Sequence, residues 1–300
     1  MDFLYTLQEL RNPILDAVMT FITYLGDEIV VIGILCAVYW CFNKTLAYKL
    51  CFTYFVSGLL VQGLKIACRI ERPWVRDARL TCVESAKSGA TGYSFPSGHT
   101  QSSTGLYSTL AFHFKKVWGY IAGFVLIALV MFSRMYLGCH TPQDVLTAFG
   151  ITIVISVIIN YVFDHVRRGR KTETVIFIFT ELISVALIIF SWYVVASGKA
   201  EEELAMDCFK AAGAGIGFGI GWFAETRWIK FDPKSFKTIG GQILKFIIGI
   251  GIALLLKQGI KMLFGDTIIV SIVRYAVVVL WIVAAYPAIL RKIKNNHCIL

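Results

Sequence analysis

The sequence predicts an all-α polytopic membrane protein, a helical-bundle core followed by additional C-terminal transmembrane helices. Three observations predict it. Hydrophobic residues make up 57% of the chain and mean hydropathy is +0.69, which excludes an ordinary soluble domain. Apolar runs long enough to cross a hydrocarbon layer of about 30 Å recur from one end to the other. The runs are continuous rather than alternating, so they belong to helices and not to barrel strands.

The chain opens on an acidic Met1-Asp2-Phe3, and the first apolar segment, 14–25, is read as lacking the positive n-region of a signal peptide, so no cleavable signal peptide is expected. That segment reads as a helix in the membrane interface, with Leu10, Ile14, Val18, Phe21 and Ile22 on one face; a transmembrane span is the alternative. Spans are predicted near 28–41, 45–66, 100–114, 117–137, 145–163, 174–196, 205–222, 242–264 and 268–290. The runs 28–41 and 100–114 are short, which suits a re-entrant segment or one embedded in protein. The organisation that follows is a membrane core over 1–170 and additional transmembrane helices over 171–300.

A net charge of +10 would suit a nucleic-acid partner, but its distribution argues for none. Lys44 and Lys49, Lys115 and Lys116, Arg167-Arg168 with Arg170-Lys171, Arg227/Lys230/Lys234/Lys237 and Arg291/Lys292/Lys294 fall on one side of the predicted spans. The positive-inside rule makes that side cytoplasmic. The polar motifs below fall on the other side, so a site built from them faces outward or toward a lumen, and a plasma-membrane location is expected. Cys68, Cys82 and Cys139 lie near that outer face, where pairing among them is the alternative, and with no zinc-like spacing linking the cysteines free thiols are expected.

Three clusters carry the chemistry. Lys65 is followed seven residues on by Arg72-Pro73; were the stretch helical, both cations would lie on one side, two turns apart, and grip one anion. Pro73 biases the chain to leave the helix there. A basic interfacial anchor is the bland reading of such a pair, and Arg69, Arg76 and Arg79 are assigned to that role, attracting anionic headgroups. Pro96-Ser97-Gly98-His99 precedes an apolar helix, with Pro96 suited to its first turn and the Ser97 and Gly98 amides presented to an anion. His99 would sit one turn inside, in reach as a general acid. Ser133-Arg134 then leads to Gly138, His140 and Asp144. Thr141 reads as a helix cap with Pro142 in the first turn, which puts His140 just outside a helix N-terminus. Asp144 can accept from one imidazole nitrogen and free the other to attack, although Thr141 and Asp144 also have the spacing of a capping box. Arg134 adds a permanently charged cation.

The pattern Lys65-x6-Arg72-Pro73, Pro96-Ser97-Gly98-His99 and Ser133-Arg134-x5-His140-x3-Asp144 resembles the signature of the type 2 phosphatidic acid phosphatase superfamily, and the resemblance spans roughly 14–165. It implies that the core is a phosphatase bundle in which His140 forms a phosphohistidine, Asp144 orients it and His99 protonates the leaving alkoxide, then activates water. Lys65, Arg72 and Arg134, with Ser97 and Gly98, would hold the phosphoryl oxygens. The scheme requires no metal or cofactor.

Beyond about 170 the chain carries spans that the minimal family fold does not need. Gly213, Gly217 and Gly221 share one helix face and Gly215 and Gly219 a neighbouring one, a spacing that lets helices approach closely in lipid. Glu181 and Arg274 sit inside apolar stretches, where an ionisable group is a functional candidate. Arg274 with Lys257 and Lys261 would extend a basic mouth, snorkelling being the simpler reading of the lysines. A homo-oligomer interface, a lipid-access groove and a transport function are the roles open to this half. The leading functional reading is an integral-membrane phosphatase acting on a lipid phosphate or pyrophosphate. The substrates it leaves open are polyprenyl (pyro)phosphate, phosphatidate, phosphatidylglycerol phosphate and sphingoid-base phosphate. Phosphotransfer between lipid headgroups, or a lipid-phosphate transporter or flippase, are the alternatives.

Overall fold

The computed structural model describes residues 1–166, 169–236 and 238–297. Arg167, Arg168 and Lys237, assigned above to the cytoplasmic side, lie outside the described residues, as does the side chain of Lys294. Among the described residues the regular structure is all helical, with no strand. In order the helices are α1 Asp2–Glu9, α2 Pro13–Thr23, α3 Glu28–Ala37, α4 Lys44–Cys68, α5 Pro73–Arg76, α6 Glu84–Lys87, α7 Gly98–Phe114, α8 Val117–Tyr136, α9 Pro142–His165, α10 Arg170–Ala196, α11 Glu202–Ala224, α12 Ile239–Phe264, α13 Ile268–Leu280 and α14 Tyr286–His297. Single π-helical turns extend α3 over Val38–Phe42, α11 over Glu225–Ile229 and α13 over Trp281–Ala285.

Among the described residues six helices, or helices run together, are long and apolar enough to cross a membrane: Lys44–Arg76, Val117–Tyr136, Pro142–His165, Arg170–Ala196, Ile239–Phe264 and Ile268–Ile293. Pro13–Gly26 and Glu28–Phe42 pass the same test only as a pair, bent by 44°. The expected spans at 100–114 and 205–222 form helices, α7 and α11, that fall short of that standard. For α7 the reason is its surroundings. Ser102, Ser103, Thr104, Ser108 and Thr109 are all buried, and small hydroxyl residues replace lipid-facing apolar ones where a helix meets protein on every side.

Two compact units interleave along the chain. The first takes Met1–Ile32, Lys49–Asp164 and Ser191–Asp207. Its centre is α7, joined to α4 and α9 by hydroxyl bonds: Thr109 donates to Thr53 at 3.2 Å, Ser108 donates to Ser156 at 2.8 Å, and the Gln101 amide donates to Ser57 at 2.7 Å. The helix-to-helix turn into α8 is made by Lys115 in the left-handed region, φ 52°. Asn12 caps α2, accepting from the Leu15 amide, with Pro13 at the first position. Of the predicted interfacial face, Leu10, Ile14, Val18 and Phe21 are exposed by 45–76%, so that face is not spent on packing within the protein. Lys49, assigned from sequence to the cytoplasmic side, is buried in α4 and pairs with Asp164 at 2.5 Å.

The second unit takes Gly33–Tyr48, His165–Phe190 and Cys208–Leu300. Here the glycine spacing does what the sequence predicts. A Cβ at Gly213 would strike the backbone of Ile272, one at Gly217 the backbone of Ala276, and one at Gly221 would lie 3.0 Å from Val283 Cβ. Backbone-to-backbone contact of α11 with α13 therefore needs hydrogen at these positions. Trp40 is fully buried against Tyr286, rings 5.2 Å apart, and donates to the Ile282 carbonyl at 3.0 Å. Glu225 is buried, binding Lys44 at 2.9 Å and the Tyr48 hydroxyl. Arg274 and Lys261 both bind Asp266 at 2.7 Å, so neither is an uncommitted cation.

Candidate active site

All three motif clusters lie in the first unit, and their side chains meet. The first cluster arrives differently from the helical expectation. α4 ends at Cys68, Arg69 turns the chain at φ 51°, and Arg72 stands ahead of the short α5 rather than on the helix that carries Lys65. Both cations are buried. Lys65 Nζ donates to the Tyr93 carbonyl at 2.6 Å. The Arg72 guanidinium donates to the carbonyls of Thr91 (2.6 Å), Gly92 (3.2 Å) and Cys139 (3.1 Å) and to Nε2 of His140 at 2.9 Å. The 91–93 segment is thus a carbonyl cradle that aims the cations, which no motif announced.

In the second cluster Pro96 lies outside the helix. The Phe95–Pro96 bond is cis, Ser97 is the cap, and α7 starts at Gly98. The Ser97 amide, expected to face an anion, donates to the Asp144 carbonyl at 3.1 Å. What the cluster presents is the Ser97 hydroxyl, which accepts from the Thr100 hydroxyl at 3.1 Å, and the Gly98 amide of the first turn, which has no acceptor within the helix. A Cβ at Gly98 would meet no heavy atom within 4 Å, so that side of the turn is open to approach.

The third cluster is set by the end of α8 and the start of α9. The Cys139 and His140 amides both donate to the Arg134 carbonyl, at 3.0 and 3.3 Å. Gly138 takes φ 78°, and a Cβ there would collide with the Thr81 carbonyl, so only glycine permits this turn. His140 is 1% exposed and Asp144 2%. Asp144 Oδ2 accepts from the Ser94 hydroxyl at 2.6 Å and the Thr141 amide at 2.8 Å, while the Asp144 amide donates to Thr141 Oγ1 at 3.4 Å. The carboxylate therefore fills the capping-box role and also faces His140 Nδ1 at 3.5 Å.

The tautomer of His140 follows from its partners. A guanidinium only donates, so Nε2 must offer its lone pair to Arg72 and the neutral ring carries its hydrogen on Nδ1. That hydrogen faces Asp144 Oδ2 and Ser94 Oγ, the latter at 3.4 Å. Burial, then Arg72, Arg134 and Lys65, push the His140 imidazole well below its ordinary proton affinity.

Arg134 is 1% exposed and donates through Nη1 to Thr23 Oγ1 at 3.1 Å, but its buried Nε and Nη2 have no protein acceptor. Each unmatched buried donor costs about 1–3 kcal/mol, and an oxyanion is the ligand that would offset it. Next to the cluster lies a groove of about 350 Å³ lined by Arg69, Ile70, Glu71, Arg76, Gln143 and Asp144. Arg69 and Arg76 thus border the site, whereas Arg79 is taken by Asp77 at 2.9 Å. Cys82 and Cys139 are thiols with sulfurs 3.6 Å apart. Ser94, Thr23 and the 91–93 carbonyls were missed from sequence, since none belongs to a spaced motif of charged residues.

The family model described as PAP2 superfamily matches residues 46–168, and that described as PAP2 superfamily phosphatase, transmembrane extension, matches 209–297. Phosphatidylglycerophosphatase B of Bacillus subtilis (strain 168) is 28% identical over 179 residues, 54% of this chain and 82% of its own length. Undecaprenyl-diphosphatase BcrC of the same organism is 30% identical over 149 residues, 48% of this chain and 73% of its own. Sphingosine-1-phosphate phosphatase 1 of Rattus norvegicus is 24% identical over 269 residues, 85% of this chain, which spans 62% of that relative. No solved structure matches the chain.

Proposed function

The chain belongs to the PAP2 superfamily, and from that premise we propose that it is a membrane lipid phosphate phosphatase working through a phosphohistidine. The observation that carries the reading is the pairing of a neutral, carboxylate-backed His140 with Arg134, a buried guanidinium that has two donors without a protein acceptor. In the first step Nε2 of His140 forms a bond to phosphorus as the ester P–O bond breaks, and His99 gives its proton to the departing alkoxide. In the second, His99 takes a proton from water while the water oxygen replaces His140 on phosphorus. Phosphate leaves and both histidines return to their starting state. Before attack, a phosphoryl oxygen replaces His140 as acceptor for Arg72, which frees Nε2 and brings the cation onto the developing charge. Lys65, Arg134, the Ser97 hydroxyl and the Gly98 amide complete the set of donors.

Side-chain cations do here what a metal would do elsewhere, so turnover is assigned as metal-independent. The relatives' names span a diphosphate and monophosphates of quite different lipids, so the substrate is stated as a lipid phosphate or pyrophosphate. The charge pattern supports a site on the extracytoplasmic or luminal side, with 1–170 as the catalytic core and 171–300 as its membrane extension.

The test is phosphate release from a panel of lipid phosphates by the full chain in detergent with EDTA, beside His140→Ala. Release that persists in EDTA and is lost in the variant, with an acid-labile, base-stable phosphoenzyme trapped in the wild type, is the expected result. Turnover that survives His140→Ala overturns the mechanism.

A further inference from the structure

The bend between α2 and α3 is built against the catalytic residues, although it lies outside the family match, which begins at residue 46. Thr23 Oγ1 accepts from Arg134 Nη1 at 3.1 Å. The Leu25 carbonyl accepts the Tyr107 hydroxyl of α7 at 2.9 Å. Gly26 comes so near the start of α7 that a Cβ would lie 2.7 Å from the His99 carbonyl oxygen and 2.8 Å from Val130. Glycine at this position is what lets the bend close on His99.

The residue delivered by that approach is Asp27. Its Oδ1 accepts from the Ile29 amide at 2.9 Å, which commits that oxygen to the start of α3. Its Oδ2 faces His99 Nε2 at 3.9 Å, with the two side chains 26% and 16% exposed. Catalytic hydrogen bonds are commonly longer before substrate binds and tighten in the complex. The charged and titratable groups acting on His99 include Arg134 of α8, Arg72 ahead of α5, Lys65 of α4 and His140 ahead of α9. Three of these are cations, and they oppose a positive ring where the leaving oxygen needs a protonated one. Asp27 is the carboxylate placed to oppose them.

We propose that Asp27 is a positioning residue for the leaving-group acid, orienting His99 and keeping its proton in place until the alkoxide takes it. The site then holds two carboxylate–imidazole pairs, Asp144 with the nucleophile and Asp27 with the acid. The proton passes from His99 to the departing oxygen and is restored from water in the second step. This inference rests on the phosphatase reading above.

The test separates leaving groups. An alkyl lipid phosphate needs its oxygen protonated as it departs, whereas p-nitrophenyl phosphate expels a stable phenolate. The readout is the alkyl-to-aryl ratio of single-turnover rates of alcohol and phenol release, for the full chain in detergent. Asp27→Asn should lower that ratio by about tenfold or more, within the range that general acids supply, and move the basic limb of the alkyl profile to lower pH. Asp27→Glu should recover much of the ratio, and His99→Gln should lower it further. A ratio at the wild-type value in Asp27→Asn overturns the proposal, whether both rates fall together or neither does. If His99→Gln also leaves the ratio unmoved, the acid has been misassigned and the inference falls with it. A wild type silent on both esters overturns the phosphatase reading itself.

Discussion

Arg72 Nη1 lies 2.9 Å from Nε2 of His140, so the cation proposed to hold the phosphoryl group also covers the proposed nucleophilic atom. The same guanidinium is aimed by three backbone carbonyls, of Thr91, Gly92 and Cys139. A lysine keeps the charge but cannot make this planar set of donations. Arg72→Lys is therefore expected to lower kcat/KM on the order of 10²-fold, the usual loss for one donor to a developing oxyanion. Steady-state kinetics in detergent measure it, and a loss under threefold would show that charge alone is what the position supplies.

The environment of His140 predicts a pH dependence with a definite sign. Burial and three neighbouring cations lower its affinity for a proton below the ordinary value near 6.5. The nucleophile therefore stays neutral under mildly acid conditions, and the acid limb of kcat/KM should break below about 6.5. Stability follows the same shift. In the window below 6.5 the unfolded chain binds the proton and the folded one does not, so this contribution is fully present above 6.5 and is lost as pH falls toward the folded value. Thermal midpoints in detergent at neutral and mildly acid pH should drop more for the wild type than for His140→Gln, which has no such group. Equal drops would place the nucleophile in a solvated setting.

Ser94 supplies the third prediction. Its hydroxyl gives Asp144 a 2.6 Å hydrogen bond and lies 3.4 Å from His140 Nδ1, so it holds the carboxylate against the ring. Ser94→Ala should lower kcat by roughly tenfold or more, matching about 1.5 kcal/mol, the lower end for one hydrogen bond to a charged group, at nearly constant KM. Asp144→Asn should cost far more. A change confined to KM would place Ser94 among the binding residues instead.

What was legible in the sequence was what spacing can encode. The helix start at 142 and the close glycine face of α11 follow from short-range pattern, whereas Pro96, expected in the first turn of α7, stands outside a helix that begins at Gly98. That the three clusters belong to one site was read from their shared chemistry and the family resemblance, not from spacing. Asp27 and Thr23 were invisible because they reach the site through a bend whose only local signal is Gly26. Ser94 and the 91–93 carbonyls were invisible because backbone acceptors have no residue signature. Whether Arg72 shares the helix of Lys65 was left open by the sequence, and the left-handed turn at Arg69 that takes it off α4 is one that side-chain identity does not favour. The span at 100–114 looked short for the reason its burial shows: serines and threonines there pair with Thr53, Ser57 and Ser156 rather than meeting lipid.

The second unit can be tested through its glycines. At Gly217 an added Cβ would run into the backbone of Ala276, and backbone does not yield as a flexible side chain does. At Gly251 of α12 it would meet nothing within 4 Å. Helix propensity favours alanine by about 0.8–1 kcal/mol at both positions, so propensity alone predicts that both substitutions stabilise. Packing predicts opposite signs, because forcing α11 away from α13 costs about 1–3 kcal/mol at a single overpacked contact. Gly217→Ala should lower the thermal midpoint in detergent and Gly251→Ala should hold or raise it. If both variants gain stability, close approach is not what the glycine face provides, and α11 and α13 are held together by the side chains around them.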